Sequence, residues 1–358
     1  MLARVAEDLF WMSRFVERAI SVARIIDVTV HLELDDGEAG EPDSELWLHW
    51  SPLLGPAVDS QAGEIGAPAL AALPTGREVR RDLAFNEDNP ASLISLVRRA
   101  RLAARGVREC ISSEMWEQLN TLYLWLVSPQ GRAEAEDEAL GIHRRIREGA
   151  QFFHGLADAT LAHDEAWNFI SLGKYLERAD SVARVLDLES RLLMPAGAVQ
   201  GAADDTVRWL AVLRSCGSAE AYARYYSLRV EPARVIEFLL LNDVFPQSVR
   251  FSLNAAWEAL LQIAAGPRVR RPDHPAVRAL GLLRARLEHA AVDEVLEEGL
   301  DVFLSDVQRR IALVSGHVTD SYLRHEPQAG RVVGVARAAM IMAAQQQQQQ
   351  SRHPIEKR

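Results

Sequence analysis

The stretch Phe15-Val16-Glu17-Arg18-Ala19-Ile20-Ser21-Val22-Ala23-Arg24-Ile25-Ile26-Asp27 returns 160 residues later as Tyr175-Leu176-Glu177-Arg178-Ala179-Asp180-Ser181-Val182-Ala183-Arg184-Val185-Leu186-Asp187. Eight positions are identical, from Glu17, Arg18 and Ala19 on Glu177, Arg178 and Ala179 to Asp27 on Asp187. Apolar residues around them recur at helical spacing. The chain therefore carries one long helix twice.

Three further matches keep the same order. Glu45 to Gly55 (ELWLHWSPLLG) aligns with Val207 to Gly217 (VRWLAVLRSCG) and sets Trp47 on Trp209 as equivalent core anchors. Leu83 to Ser92 (LAFNEDNPAS) aligns with Leu239 to Ser248 (LLLNDVFPQS), matching Asn86 to Asn242, Pro90 to Pro246 and Ser92 to Ser248. More weakly, Ile142 to Ile146 resembles Val307 to Ile311. The reading is an all-α, pseudo-twofold helical bundle built from two divergent repeats of about 160 residues, 1–162 and 163–327.

With 48% hydrophobic and 25% charged residues, the composition is that of a globular protein able to bury a sizeable core. A net charge of −10 repels a phosphate backbone and argues against nonspecific nucleic-acid binding. Cys110 and Cys216 stand far apart, without the spacing of a disulfide framework or a zinc site. Charged residues interrupt the N-terminal apolar pattern and no long apolar run exists, so neither a signal peptide nor a transmembrane segment is expected, and the localisation implied is cytoplasmic. Lys174 and Lys357 are the only lysines among 40 basic residues, which leaves little room for lysine nucleophiles.

Along the chain, no alternating apolar and polar run argues for a sheet. The first helix is expected from about Leu2 to Leu34, followed by a Gly-, Pro- and Ala-rich linker from Asp35 to Pro74 with a short helix at Leu46 to Leu54. Asn89-Pro90 reads as the start of a helix running to about Arg108, because asparagine caps free N–H groups and proline suits the first turn. Ser113 to Val127 and Ala133 to Ala162 follow as helices, and Asp164 caps the second copy of the opening one. The pattern fails after Glu326-Pro327, and Gln345 to Gln350 is a homopolymer, so residues 328–358 are expected to form a disordered glutamine-rich tail. Within it, Val332 to Ala344 suits a short surface-touching helix that is too short to span a bilayer.

On a helix, Arg14, Glu17, Ser21 and Arg24 share one stripe, as do Lys174, Glu177, Ser181 and Arg184. Adjacent Glu17 and Arg18 point about 100° apart and must each find partners elsewhere. If the two helices cross at a pseudo-twofold axis, Glu17 meets Arg178 or Arg184, and Glu177 meets Arg18 or Arg24. Such a cluster is either a buried ion network or an arginine-rich site for a carboxylate or phosphate. The plain alternative is a solvated face in which Arg14 and Glu17 make a local pair worth about 0.2–0.5 kcal/mol. No Glu-x-x-His pair, HExxH, P-loop or GxSxG signature is present, so no metal or cofactor is expected. His31, His143, His154 and His163 read as surface or interhelical contacts.

These residues resemble the bacterial alpha-E proteins, a family named for its helical fold and Glu-Arg motif. The resemblance rests on Arg4 to Val28, Ser112 to Asn120 (SSEMWEQLN), Ser171 to Leu188 and Phe245 to Leu253 (FPQSVRFSL), and covers about residues 1–325. It implies genomic company with ATP-grasp and transglutaminase-like proteins, hence a non-catalytic accessory role beside an ATP-grasp amide-bond ligase that holds a peptide or carrier. The motif falls on Glu17, Arg18, Glu177 and Arg178. Two alternatives stay open: an enzyme of the same peptide pathway using Glu17 or Glu177 as acid-base groups, or a free-standing scaffold module.

Overall fold

The computed structural model describes residues 1–35, 76–137, 141–193, 203–226, 229–265 and 274–323, and every regular element among them is helical. The linker helix at Leu46 to Leu54, Trp47 and the tail lie outside the described residues. The helices are α1 (Ala3–Asp35), α2 (Gly76–Phe85), α3 (Leu93–Gly106), α4 (Ser113–Val127), α5 (Pro129–Asp137), α6 (Gly141–Thr160) and α7 (Glu165–Leu193). After them come α8 (Ala203–Ser215), α9 (Ala219–Tyr226), α10 (Pro232–Ile236), α11 (Val249–Ala265), α12 (Pro275–Glu288), α13 (Val292–Glu298) and α14 (Leu300–Val318). Single π-turns extend α10 over Glu237–Leu241 and α14 over Thr319–Leu323.

Helices α1 and α7 cross at the centre and carry the two copies of the repeated stretch. Helix α1 packs on α3, α6 and α7, and helix α7 on α11, α14 and α1. The outer layers follow the same order, α3 on α4 and α4 on α6 in one part, α11 on α12 and α12 on α14 in the other. One continuous hydrophobic cluster runs through both, from Leu9 and Phe10 to Phe153, Trp209 and Phe303. Enclosure on several sides explains why α1 and α7 bury their polar stripes as well as their apolar ones. The stripes face each other.

The helices approach so closely at Gly173 that a Cβ there would clash with the Ser13 hydroxyl and the Phe10 carbonyl oxygen. Only glycine leaves room for the α1 backbone at this point.

The matched Asn and Ser of the third repeat make matched corners. Asn86 Oδ1 accepts from the Asp88 N–H at 2.9 Å, and Asn242 Oδ1 from the Val244 N–H at 2.9 Å. The Ser92 hydroxyl donates to the Asn86 carbonyl, and the Ser248 hydroxyl to that of Asn242. Each serine then accepts from the N–H three residues on, Ser95 or Phe251, as an N-cap does. This corrects the expected helix start at Asn89-Pro90: those residues form the preceding turn, with Asn89 Oδ1 accepting from the Ala91 N–H, and Ser92 is the cap. The helix expected from about Ala133 starts earlier, because Ser128 caps it with Pro129 in its first position, and it is described over Pro129–Asp137 (α5) and Gly141–Thr160 (α6). Asp164 caps α7 as expected, accepting from the Ala166 N–H at 2.9 Å.

Candidate functional site

The motif acids are inside the protein: Glu17 and Glu177 are each 1% exposed. Arg178 grips Glu17 with two nitrogens, Nε at 2.6 Å and Nη2 at 3.0 Å, and its Nη1 donates to the Pro246 carbonyl of the second Asn-Ser corner at 3.3 Å. Glu177 is shared between Arg14 Nε at 2.7 Å and Arg18 Nε at 2.5 Å. The crossed pairing expected from the repeat therefore forms, Glu17 with Arg178 and Glu177 with Arg18. The solvated-face alternative is excluded by the burial, and Arg14 serves the opposite helix rather than Glu17.

Two groups in this network escaped the repeat comparison. His154, on α6, places Nε2 3.0 Å from Glu17 Oε2, close but poorly directed for a hydrogen bond. Burial pushes its pKa down, so it sits against Glu17 as a neutral ring. Asp180, at the position where the first copy has Ile20, pairs with Arg184 at 2.9 Å on its own helix.

Burial opposes ionisation of both motif acids, but their arginines outweigh it and hold each carboxyl below the usual carboxylate range. Burial also pushes the Asp180 carboxyl up, with Arg184 opposing. Lys174, the counterpart of Arg14, turns instead to Asp158 at 3.4 Å. Arg184 thus does not join Glu17, as one expected pairing had it, because Asp180 is nearer along the same helix.

Nor does Arg24 reach Glu177. It is 9% exposed, and its one hydrogen bond among the described residues runs from Nη1 to the Cys216 carbonyl at 3.5 Å. That carbonyl belongs to the turn ending α8, where the Gly217 N–H bonds the Arg214 carbonyl and the Ser218 N–H that of Leu213. The turn needs a left-handed residue, and Gly217 supplies it at φ 63°. A Cβ on Gly217 would stand 2.6 Å from the centre of the Arg24 guanidinium, so the absent side chain leaves the arginine its space. Between this turn and the α1–α7 seam lies a cleft lined by Arg18, Arg24, Arg178 and Arg184 and by Glu177 and Asp180.

A family model described as a predicted alpha-helical domain with a conserved ER motif matches residues 1–323. The chain belongs to the Alpha-E family. Its Glu-Arg pairs are the buried crossed ion pairs of the α1–α7 seam. Among curated proteins, this Alpha-E chain is similar over 328 residues to uncharacterised proteins of Mycobacterium bovis and of Mycobacterium tuberculosis strain CDC 1551, each at 26% identity. The alignments cover 88% of this chain and 36% of each relative, so the chain spans little more than a third of their length. No solved structure matches it. Among the described residues, no group of His, Cys, Asp or Glu side chains is arranged to hold a metal ion, and no helix is long and apolar enough to cross a membrane.

Proposed function

We propose that this Alpha-E chain is a non-catalytic helical accessory protein, working with an ATP-grasp amide-bond ligase and transglutaminase-like proteins in bacterial peptide synthesis or modification. The observation that carries the non-catalytic part is the saturation of both motif acids. A carboxylate that is 1% exposed, fully paired and held below its usual pKa is a poor proton acceptor, and no substrate atom reaches it without unpairing an arginine. This weighs against the reading in which Glu17 or Glu177 performs acid-base chemistry. The ligase partnership rests on the family resemblance, and the cytoplasmic setting goes with it.

The same proposal takes residues 1–327 as one pseudo-twofold domain of two repeats. It is supported by the crossed Glu-Arg pairs, the matched Asn-Ser corners and the like packing order around α1 and α7. Co-expression with an ATP-grasp protein encoded beside an Alpha-E gene tests the function. The expected result is co-purification and a change in the ligase's peptide-dependent ATP turnover; two purified proteins that neither associate nor alter that turnover would overturn it.

A further inference from the structure

The charges at the α1–α7 seam do not balance. Glu17 is matched directly by Arg178 and Asp180 by Arg184, while Glu177 takes both Arg14 and Arg18, and Arg24 has no directly bonded carboxylate among the described residues, with the Glu17 charge acting on it from farther off. Among these described side chains, five arginines therefore stand beside three carboxylates, in a chain whose net charge is −10. The cause is visible in the repeat. Arg184 has Asp180 four residues before it, whereas Arg24 has Ile20 at that place, so the second copy carries an internal counter-ion that the first lacks.

Water meets the surplus at Arg18, whose side chain is 35% exposed. Arg24 has no such relief, and burial lowers its pKa by disfavouring the charged form. A buried guanidinium whose one hydrogen bond among the described residues goes to a carbonyl at 3.5 Å, with Glu17 acting from farther off, gains from an anion bonded to it directly.

We infer that the cleft between the α1–α7 seam and the α8 turn binds a small molecule bearing a carboxylate on an apolar body, such as the C-terminal residue of a peptide, with Arg24 as its fork. One unmatched guanidinium, with its planar pair of donors, matches a planar monoanion better than a phosphate dianion. The walls supply the second half of the specificity: Val22 and Ile25 of α1 and Val182 and Val185 of α7 line the cleft, along with Ser21 and Ser181. Gly217 keeps Arg24 in place by leaving its guanidinium room against the turn. This ligand class rests on the reading of the chain as a binding rather than a catalytic protein, but not on the ligase.

The test is calorimetric titration of the full chain with N-acetyl-leucine, its C-terminal amide and inorganic phosphate. The carboxylate should bind saturably, and the amide and phosphate much more weakly. Arg24→Met should weaken carboxylate binding on the order of 10- to 100-fold while leaving the melting temperature unchanged or higher, since it removes an unmatched buried charge. A structural arginine would instead lower it. Ser181→Glu, which keeps Arg24 and sets a competing carboxylate at the cleft, should also abolish binding and keeps the test sharp if Arg24→Met misfolds. Phosphate binding as tightly as the carboxylate, absence of saturable carboxylate binding, or full binding by either folded variant would overturn the inference. Ligase association with no carboxylate binding would overturn this site alone; carboxylate binding without ligase association would overturn the partnership and leave the site.

Discussion

The two buried glutamates at the centre of the bundle solve one problem in different ways. Glu17 is enclosed by a forked arginine and a neutral histidine, with Arg178 at 11% and His154 at 8% side-chain exposure. Glu177 is held by two separate arginines, one of which, Arg18, reaches the cleft at 35% exposure. The acid and the crossed arginine are common to both ends, and the third group is not. What both ends retain is neutralisation of a buried carboxylate, which requires opposite charge and direct bonds but no particular third residue. The Glu17 end is closed, and the Glu177 end opens toward the cleft.

Removing one acid at a time separates these two ends. Glu177→Ala strands Arg14 and Arg18, and because Arg14 is 9% exposed it should cost about 3–5 kcal/mol in urea unfolding. Glu17→Ala removes the direct partner of one arginine, Arg178, where Glu177→Ala removes that of two, and Arg14 and Arg178 each keep a neutral bond, to Ser315 and to the Pro246 carbonyl, so the loss from Glu17→Ala should be smaller; equal losses would break the comparison. Gly173→Ala should cost about 1–3 kcal/mol by forcing α1 and α7 apart, weakening both ends alike.

Acid should act in two stages. Below about pH 6.5 the unfolded chain binds a proton at residue 154 that the folded chain refuses, so stability falls as pH falls. Below about pH 4.5 it falls again, because the unfolded chain protonates residues 17 and 177 while their lowered folded pKa values keep those carboxyls ionised. The raised pKa of Asp180 works in the opposite sense and blunts the second stage. His154→Gln should shrink the first stage and leave the second, the remainder of the first coming from His274, whose pKa burial also lowers, as read from the urea midpoint above about pH 5. The smallest effect should come from Arg184→Ala, about 1 kcal/mol: Asp180 is 9% exposed and loses its direct partner, but Arg14 and Arg18 still act on it and its raised pKa eases uptake of a proton.

Comparison of the repeats finds only what both copies keep, which accounts for its reach and its gaps. The positions of α1 and α7, the crossed pairing and the Asn-Ser corners were legible because burial and turn geometry demand the same residues twice. His154 was not, since it arises from α6, where the repeat is weakest, and a lone histidine on a helix carries no spacing that points to a distant acid. Arg14 lay on the charged stripe, but its proximity to Glu17 in sequence suggested a local pair, and only the packing of α7 against α1 brings Glu177 to it. Arg24 and Arg184 were read as equivalents because they match. The difference between them lies four residues earlier, at Ile20 and Asp180, where the copies disagree and the comparison is blind.

The contact of Ser13 with Gly173 bears on how a two-copy chain differs from a dimer. These residues occupy the same place in the two copies, 160 apart, and one is small so that the other fits. Two first copies meeting in this register would set serine against serine, with no space for the second hydroxymethyl group. The joint thus bars the pairing of two first copies, like a lock that refuses a second bolt, and an exchange between neighbouring molecules that brought two first copies together would meet this clash.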